Sequence, residues 1–168
     1  MPWYRVLRKY VQNYLRSGRL SSWKRANRRF EDMPGYKPDY KFSICILMDV
    51  SGSVSSGDDG LKRFFSEADF MAKKAAVFII ECDAGVSHTF KYRPKMKIEI
   101  RGRGGTDFNP AIAKMNEIHK RTPFDVCVYF TDGFCERPTV KSKVPMVWAV
   151  LKNGSIDCVP KGARVVRV

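Results

Sequence analysis

Three short segments of this sequence place carboxylate and hydroxyl side chains beside glycines, where apolar runs end or helices are expected to begin. They are residues 49–53 (DVSGS), 104–107 (GGTD) and 131–133 (TDG). The candidate metal ligands in them are Asp49, Ser51, Ser53, Thr106 and Asp132. All five offer hard oxygen atoms, which Mg²⁺ prefers in near-octahedral geometry. The sequence therefore predicts a magnesium site, which Mn²⁺ also suits.

The alternation of apolar runs with helical stretches predicts how these segments are positioned. Apolar runs of strand length lie at 42–48, 77–82, 86–92, 96–100, 126–130, 146–151 and 163–168, and apolar stripes with helical spacing lie at 61–75 and 108–118. This pattern is typical of an α/β fold with a doubly wound, mostly parallel central sheet flanked by helices. The second and third runs are separated by a loop too short for a helical crossover, so we expect them to pair antiparallel at one edge.

The fold class explains why three distant segments would form one site. In doubly wound sheets, ligands bind beyond the carboxyl ends of the strands, where the strand order reverses. Asp49 directly follows the first apolar run and Asp132 closely follows the run at 126–130. Neighbouring strands would bring them together, and the glycines before Thr106 let a third loop approach closely. We expect Asp107 to cap the next helix, or to accept a hydrogen bond from a group that itself binds the metal.

Composition limits the class of protein. The 168 residues, 44% of them hydrophobic, are enough for one domain with its own core. The five cysteines show no CxxC spacing, and three lie inside apolar runs, which indicates reduced thiols in a cytoplasmic protein. We expect no signal peptide and no membrane span, since the first residues mix basic and aromatic side chains and no long uncharged apolar segment follows.

The net charge of +14 is unevenly distributed. Residues 1–41 carry eleven Lys or Arg and three acids, and are predicted to form a basic amphipathic helix followed by an irregular connector, with the α/β domain at 42–168. A second basic cluster lies at 91–103. Either cluster can be an exposed, solvated face or can contact an acidic partner or nucleic acid. The candidate contact residues are Arg25, Arg28, Arg29, Lys95, Arg101 and Arg103.

Over about residues 42–168, the DxSxS element, the threonine loop and the late aspartate resemble the von Willebrand factor A (VWA) domain with its metal-ion-dependent adhesion site. The resemblance implies that hydroxyls and aspartates hold Mg²⁺ directly or through water, and that an acidic residue of a partner completes the coordination shell. We expect Ser51, Ser53 and Thr106 to bind directly, and Asp49 and Asp132 mainly through water.

A narrower likeness includes the amino-terminal part. The segments WKRANRRF (23–30), MPG (33–35), GGTDF (104–108), VWAV (147–150) and PKG (160–162) are similar to the carboxy-terminal half of a bacterial family of predicted metallopeptidases fused to a VWA-like domain. The peptidase half of that family carries an HExxH zinc motif. This sequence has only His88 and His119 and no HExxH, so the resemblance does not extend to peptidase activity. It implies a MoxR-like AAA+ ATPase as a partner.

The sequence favours a non-enzymatic protein-binding module over catalysis. An aspartyl phosphotransferase needs a second acid two residues after its nucleophile, where this sequence has Ser51. Neither a GxxxxGK[ST] phosphate loop nor a GxSxG elbow is present. The hypothesis is a cytoplasmic adaptor that captures a partner carboxylate at its metal site. The alternatives are an RNA-binding or other nucleic-acid-binding protein that uses the basic amino-terminal segment, and a metal-dependent hydrolase.

Overall fold

The structure, a computed structural model, describes residues 5, 8–9, 19–26, 29–30, 32–38, 42–50, 65–66, 68–73, 75–82, 85–94, 96 and 106–167. Its strands are β1 (Arg19–Ala26), β2 (Pro34–Pro38), β3 (Ser43–Asp49), β4 (Ala76–Cys82), β5 (Val86–Tyr92), β6 (Val126–Thr131), β7 (Met146–Val150) and β8 (Arg164–Arg167). Helix α1 spans Phe108–Arg121. Residues 65–66 and 68–72 are also helical, as are residues 5 and 8–9.

Strands β3 to β8 form one sheet in the order β5-β4-β3-β6-β7-β8. All neighbouring pairs are parallel except β4 and β5, which pair antiparallel at one edge. The chain proceeds from β3 outward to β5 and then returns to β6 on the other side of β3. The strand order therefore reverses between β3 and β6. The predicted doubly wound, mostly parallel α/β fold and its antiparallel edge are confirmed.

The complete burial of strand β3 explains why the central strands are continuous apolar runs in the sequence. All seven of its residues are buried. Successive side chains point to opposite faces of a sheet. Ile44, Ile46 and Met48 accordingly pack into one core, together with Ala68 and Met71 of the helical residues before β4. The alternate residues of β3 pack into a second core, against helix α1 on the other face.

Helix α1 is anchored to the second core by an aromatic layer. Its buried residues Phe108, Ala111, Ile112 and Met115 recur at the spacing of one helical face. The Phe108 ring lies edge-on to Tyr129, at 4.9 Å between centroids, and to Trp148, at 5.3 Å. Those two rings stack on each other with centroids 4.8 Å apart. The first turn of α1, and with it the loop that carries Thr106, is thereby held against β6 and β7.

The amino-terminal part differs from the sequence-based expectation. Residues 19–26 and 34–38 are not part of an irregular connector, because they form the antiparallel strands β1 and β2. Prolines stand at both ends of β2 and Gly35 lies inside it, so this segment lacks the residue pattern that predicts a strand. Proline is nevertheless tolerated at the first residue of a strand and at sheet edges. The predicted amphipathic helix lies outside the described residues apart from helical Arg5, Arg8 and Lys9.

Two further predicted elements fall mostly or partly outside the described ranges. The strand expected at 96–100 is represented by Met96 alone, which is not in a strand. The helix expected at 61–75 is represented by the helical residues between 65 and 72. No described helix is both long and apolar enough to cross a bilayer.

The cysteines are free thiols. Four of them are buried and Cys135 is partly buried. Burial raises the pKa of Cys158 to about 11. Burial likewise raises the pKa of the Cys127 thiol and of the Tyr129 hydroxyl well above their usual ranges. The folded protein therefore keeps these groups protonated at alkaline pH values where the unfolded chain releases protons.

The buried thiols predict a loss of stability at alkaline pH. A thiol in the unfolded chain has a pKa of about 8.5. Burial raises the pKa of folded Cys158 to about 11. The folded state binds more protons in this window, so the free energy of unfolding should fall as pH rises through it. Urea unfolding at several pH values, under reducing conditions, measures the slope. The slope should be shallower for Cys158→Ala, and an equal slope in both proteins would contradict the role of this thiol.

The aromatic layer predicts a large difference between two Phe→Ala substitutions. Phe108 is 0% exposed, whereas Phe134 is 66% exposed. Removing the buried ring leaves a cavity, so Phe108→Ala should lower the free energy of unfolding by about 3–5 kcal/mol. Phe134→Ala should change it by no more than about 0.5 kcal/mol. Urea titrations followed by tryptophan fluorescence provide the measurement, and similar losses in both variants would disprove this role for the aromatic layer.

Candidate functional site

Asp49 lies at the carboxyl end of β3, where the strand order reverses, and is 0% exposed. Its Oδ2 atom accepts a hydrogen bond from Thr131 Oγ1 at 2.8 Å. Its Oδ1 atom accepts a longer one from Thr106 Oγ1 at 3.5 Å. Burial of a carboxylate is costly unless hydrogen bonds compensate it. The two hydroxyls therefore both stabilise Asp49 and orient it.

Thr131 is a site residue that sequence reasoning missed. It is the last residue of β6 and is completely buried. Met48 pairs with Phe130 in the parallel ladder, so the next residues, Asp49 and Thr131, lie side by side. Besides donating to Asp49, the Thr131 hydroxyl accepts a hydrogen bond from Gly133 N at 3.0 Å. The only signal for Thr131 was its place in the TDG segment, beside the aspartate selected as a ligand.

Asp132 is held in a tightly packed loop after β6. Its Oδ1 atom accepts a hydrogen bond from Phe134 N at 3.1 Å, and its carbonyl oxygen accepts one from Ser155 N at 2.9 Å. Gly133 has a φ of 76°, and a Cβ there would lie 1.9 Å from the Ser155 carbonyl oxygen. Only glycine fits this position. The close contact with the loop after β7 keeps Asp132 beside the end of β3.

Thr106 and Asp107 are both held by hydrogen bonds. Asp107 is the N-cap of α1, because its Oδ1 atom accepts a hydrogen bond from Asn109 N at 2.9 Å. The Cys135 thiol donates to the Thr106 carbonyl oxygen at 2.7 Å. Burial raises the pKa of Cys135, so the thiol keeps the proton that this hydrogen bond needs. The segment after β6 therefore helps to place Thr106.

The structure places Asp49, Thr106 and Asp132 at the same end of the sheet, and Asp107 at the start of α1. That Asp107 also accepts a hydrogen bond from a group that binds the metal stays a prediction. Ser51 and Ser53 lie outside the described residues. The same holds for four of the six basic candidates, Arg28, Lys95, Arg101 and Arg103. Of the other two, Arg25 is on β1 and Arg29 is exposed after it.

The donor atoms of this site suit a hard cation. Asp49, Asp132 and Thr106 supply oxygen alone, which is what Mg²⁺ and Mn²⁺ prefer. Thr106 Oγ1 lies 3.5 Å from Asp49 Oδ1, so an ion bound to this hydroxyl would be near enough for the carboxylate to reach it through a water molecule. Within the described ranges, no group of three or more His, Cys, Asp or Glu side chains could hold a metal ion.

The fold and the placement of Asp49, Thr106 and Asp132 at its switch point define the class of a VWA-type α/β domain. Residues 44–168 match the family described as VWA-like domain (DUF2201), and the chain belongs to this family. The resemblance to VWA domains is thereby confirmed. VWA-like domains commonly mediate protein interactions, so a protein-binding role is the general function of this class.

Two individual proteins are similar to this chain. An uncharacterized protein of Thermotoga maritima is 29% identical over 157 residues, which cover 91% of this chain and 38% of the relative. The chain thus spans little more than a third of that relative. Among solved structures, the ArnB paralog VWA2 from Sulfolobus acidocaldarius aligns with a TM-score of 0.46 and 17% identity, over 66% of this chain and 35% of that one.

The contacts of Thr131 predict a stability effect at the site. Thr131→Val keeps the shape of the side chain but removes the donor to Asp49 Oδ2 and the acceptor of Gly133 N. Because buried polar groups then lose their partners, the free energy of unfolding should fall by about 1–3 kcal/mol.

The matched control is Thr122→Val, at an exposed position after α1. It should change the free energy of unfolding by no more than about 0.5 kcal/mol. Urea unfolding of both variants provides the comparison. If Thr131→Val were as stable as Thr122→Val, the orienting role of the Thr131 hydroxyl would be wrong.

Proposed function

We propose that this domain binds one Mg²⁺ or Mn²⁺ ion at the carboxyl ends of β3 and β6 and uses it to capture a carboxylate of a protein partner. The observation that carries the proposal is the buried Asp49 carboxylate at the switch point, hydrogen-bonded by Thr106 and Thr131. A completely buried acid at the end of a central strand is costly to retain for stability alone. We infer that the Asp49 carboxylate is retained because it helps to bind a metal ion.

Each site residue has a separate task in this proposal. Ser51, Ser53 and Thr106 would bind the ion directly, and Asp49 and Asp132 would bind it mainly through water molecules. Neutral hydroxyl ligands leave most of the positive charge of the ion uncompensated, so the bound ion would attract an external carboxylate. Thr131 keeps the Asp49 carboxylate in one orientation through its 2.8 Å hydrogen bond.

We propose that the domain is not an enzyme. The Thr131 hydroxyl is completely buried and so cannot reach a substrate, and the Thr106 hydroxyl is directed at Asp49, the acid that we assign to the metal site. His88 is exposed on β5, and His119 Nδ1 already accepts a hydrogen bond from Phe124 N at 2.9 Å. These observations support binding over hydrolysis.

The partner would present an acidic side chain. A MoxR-like AAA+ ATPase is the candidate that the family resemblance implies, and we propose it as the first partner to test. The proposal concerns this domain only, because the chain spans 38% of the Thermotoga maritima relative.

The metal proposal predicts a titratable Mg²⁺ site. Isothermal calorimetry on the unmodified protein should give saturable binding at millimolar Mg²⁺ or below. Thr106→Val removes a direct ligand, and Asp49→Asn removes a charge without changing the side-chain shape. Each should weaken binding by at least about tenfold, as loss of a ligand or of its supporting group does elsewhere. Thr122→Val should bind like the unmodified protein, and absence of saturable heat in the unmodified protein would disprove the metal site.

Partner capture should depend on that ion. A purified MoxR-like ATPase should be retained by the immobilised domain in Mg²⁺, and released by EDTA. The Thr106→Val domain should retain little of it even in Mg²⁺, whereas Thr122→Val should behave normally. Retention that survives both EDTA and Thr106→Val would contradict capture through the metal.

A further inference from the structure

A cavity of about 360 Å³ lies at the edge of the sheet, between the end of the 65–72 helical segment and strands β4 and β5. Its lining combines three alanines with three basic side chains. The alanines are Ala72, Ala75 and Ala76, and the basic residues are Lys73, Lys91 and Arg93. We call this cavity the edge pocket. Among the described residues, its lining contains cations and small apolar groups but no acidic residue.

The edge pocket is far from the site at Asp49. Ala76 is the first residue of β4, whereas Cys82 at the other end of β4 pairs with Asp49. Six residues of strand, at about 3.3 Å each, separate the two ends by about 20 Å. The two sites therefore occupy opposite ends of the sheet, and a ligand in the edge pocket does not need the metal site.

The basic side chains of the edge pocket are not neutralised within the described part of the chain. Lys73, Lys91 and Arg93 are exposed, and none forms an ion pair or hydrogen bond with a described carboxylate. Asp69 lies one helical turn before Lys73, but its Oδ1 atom accepts a hydrogen bond from Tyr92 OH at 2.6 Å. Like charges converging on one concave surface repel each other, and an anionic ligand relieves that repulsion.

The edge pocket also gives a role to the first two residues of a basic cluster that the metal site leaves without one. Lys91 and Arg93 begin the 91–103 segment, which contains six basic residues and one acid. Lys73 comes from a different part of the chain and reaches the same cavity. If these residues formed only a solvated basic face, they would need neither a concave surface nor a lysine from a separate part of the chain.

We propose that the edge pocket binds the phosphate groups of a small phosphorylated ligand, such as a nucleotide or pyrophosphate. The planar guanidinium of Arg93 suits two phosphate oxygens, and the two lysines supply compact positive charge. The cavity is within the range of small-molecule sites, about 300–1,000 Å³. Nucleic acid fits less well, because Tyr92 is 4% exposed and its hydroxyl is bound to Asp69, so its ring offers no surface for stacking bases.

The test uses ATP and inorganic pyrophosphate as separate probes, in EDTA so that the metal site is inactive. Calorimetry at low salt should show saturable binding of at least one probe to the unmodified protein, weakened by added salt. The double variant Lys91→Gln with Arg93→Gln should lose affinity by at least about tenfold, because two charge-assisted contacts are removed. Its control, Lys120→Gln with Arg121→Gln, changes the same charge at exposed positions at the end of α1.

The relative affinities of ATP and pyrophosphate show which part of the ligand the edge pocket recognises. Equal affinity for the two probes assigns recognition to the phosphate groups alone, whereas tighter binding of ATP adds a contact between its organic part and the alanines. The proposal is wrong if neither probe binds, or if both double variants lose affinity equally. It is also wrong if a single-stranded oligothymidylate binds while ATP and pyrophosphate do not. Urea unfolding of each variant confirms that the compared proteins are folded.

Discussion

The hydrogen bond between the Thr131 hydroxyl and the Asp49 carboxylate joins the two central strands at the point where the strand order reverses. Asp49 is completely buried, so its carboxylate requires hydrogen-bond donors within the folded protein. The register of β3 against β6 supplies the nearest donor. A shift of this register by one residue would turn Thr131 to the opposite face and leave the acid without it.

The surrounding loops are arranged around this interaction. Gly133 and Gly154 allow the segments after β6 and β7 to touch, and a Cβ at Gly154 would lie 2.0 Å from the carbonyl oxygen of Asp132. The aromatic layer of Phe108, Tyr129 and Trp148 sets the start of α1, and Asp107 caps it. A rigid scaffold thus presents short loops that carry the polar groups, as is common in binding sites.

The two ends of the sheet offer opposite chemistry. The carboxyl ends of β3 and β6 gather carboxylates and hydroxyls, whereas the edge pocket presents three basic side chains about 20 Å away. The net charge of +14 gives the whole chain a long-range attraction for anions. The metal site and the phosphate site that we propose therefore lie at separate surfaces, so a partner carboxylate and a phosphorylated ligand would not compete.

The sequence by itself determined the elements whose signal is local. The apolar runs predicted β3 to β8 within one residue at each end. The signal is strongest for β3 and β6, whose residues are all buried, so that the runs are apolar on both faces of the sheet. The short loop before Val86 predicted the antiparallel edge. Polar residues at the ends of apolar runs marked Asp49 and Asp132 as candidate ligands, and the glycines before a predicted helix marked Thr106. Only the tertiary structure revealed the β1 and β2 pairing, the partnership of Thr131 with Asp49 and the edge pocket. These three features depend on which strands become neighbours and on how those strands align. Packing between residues far apart in the chain decides both, so the spacing of residues along the sequence does not reveal them.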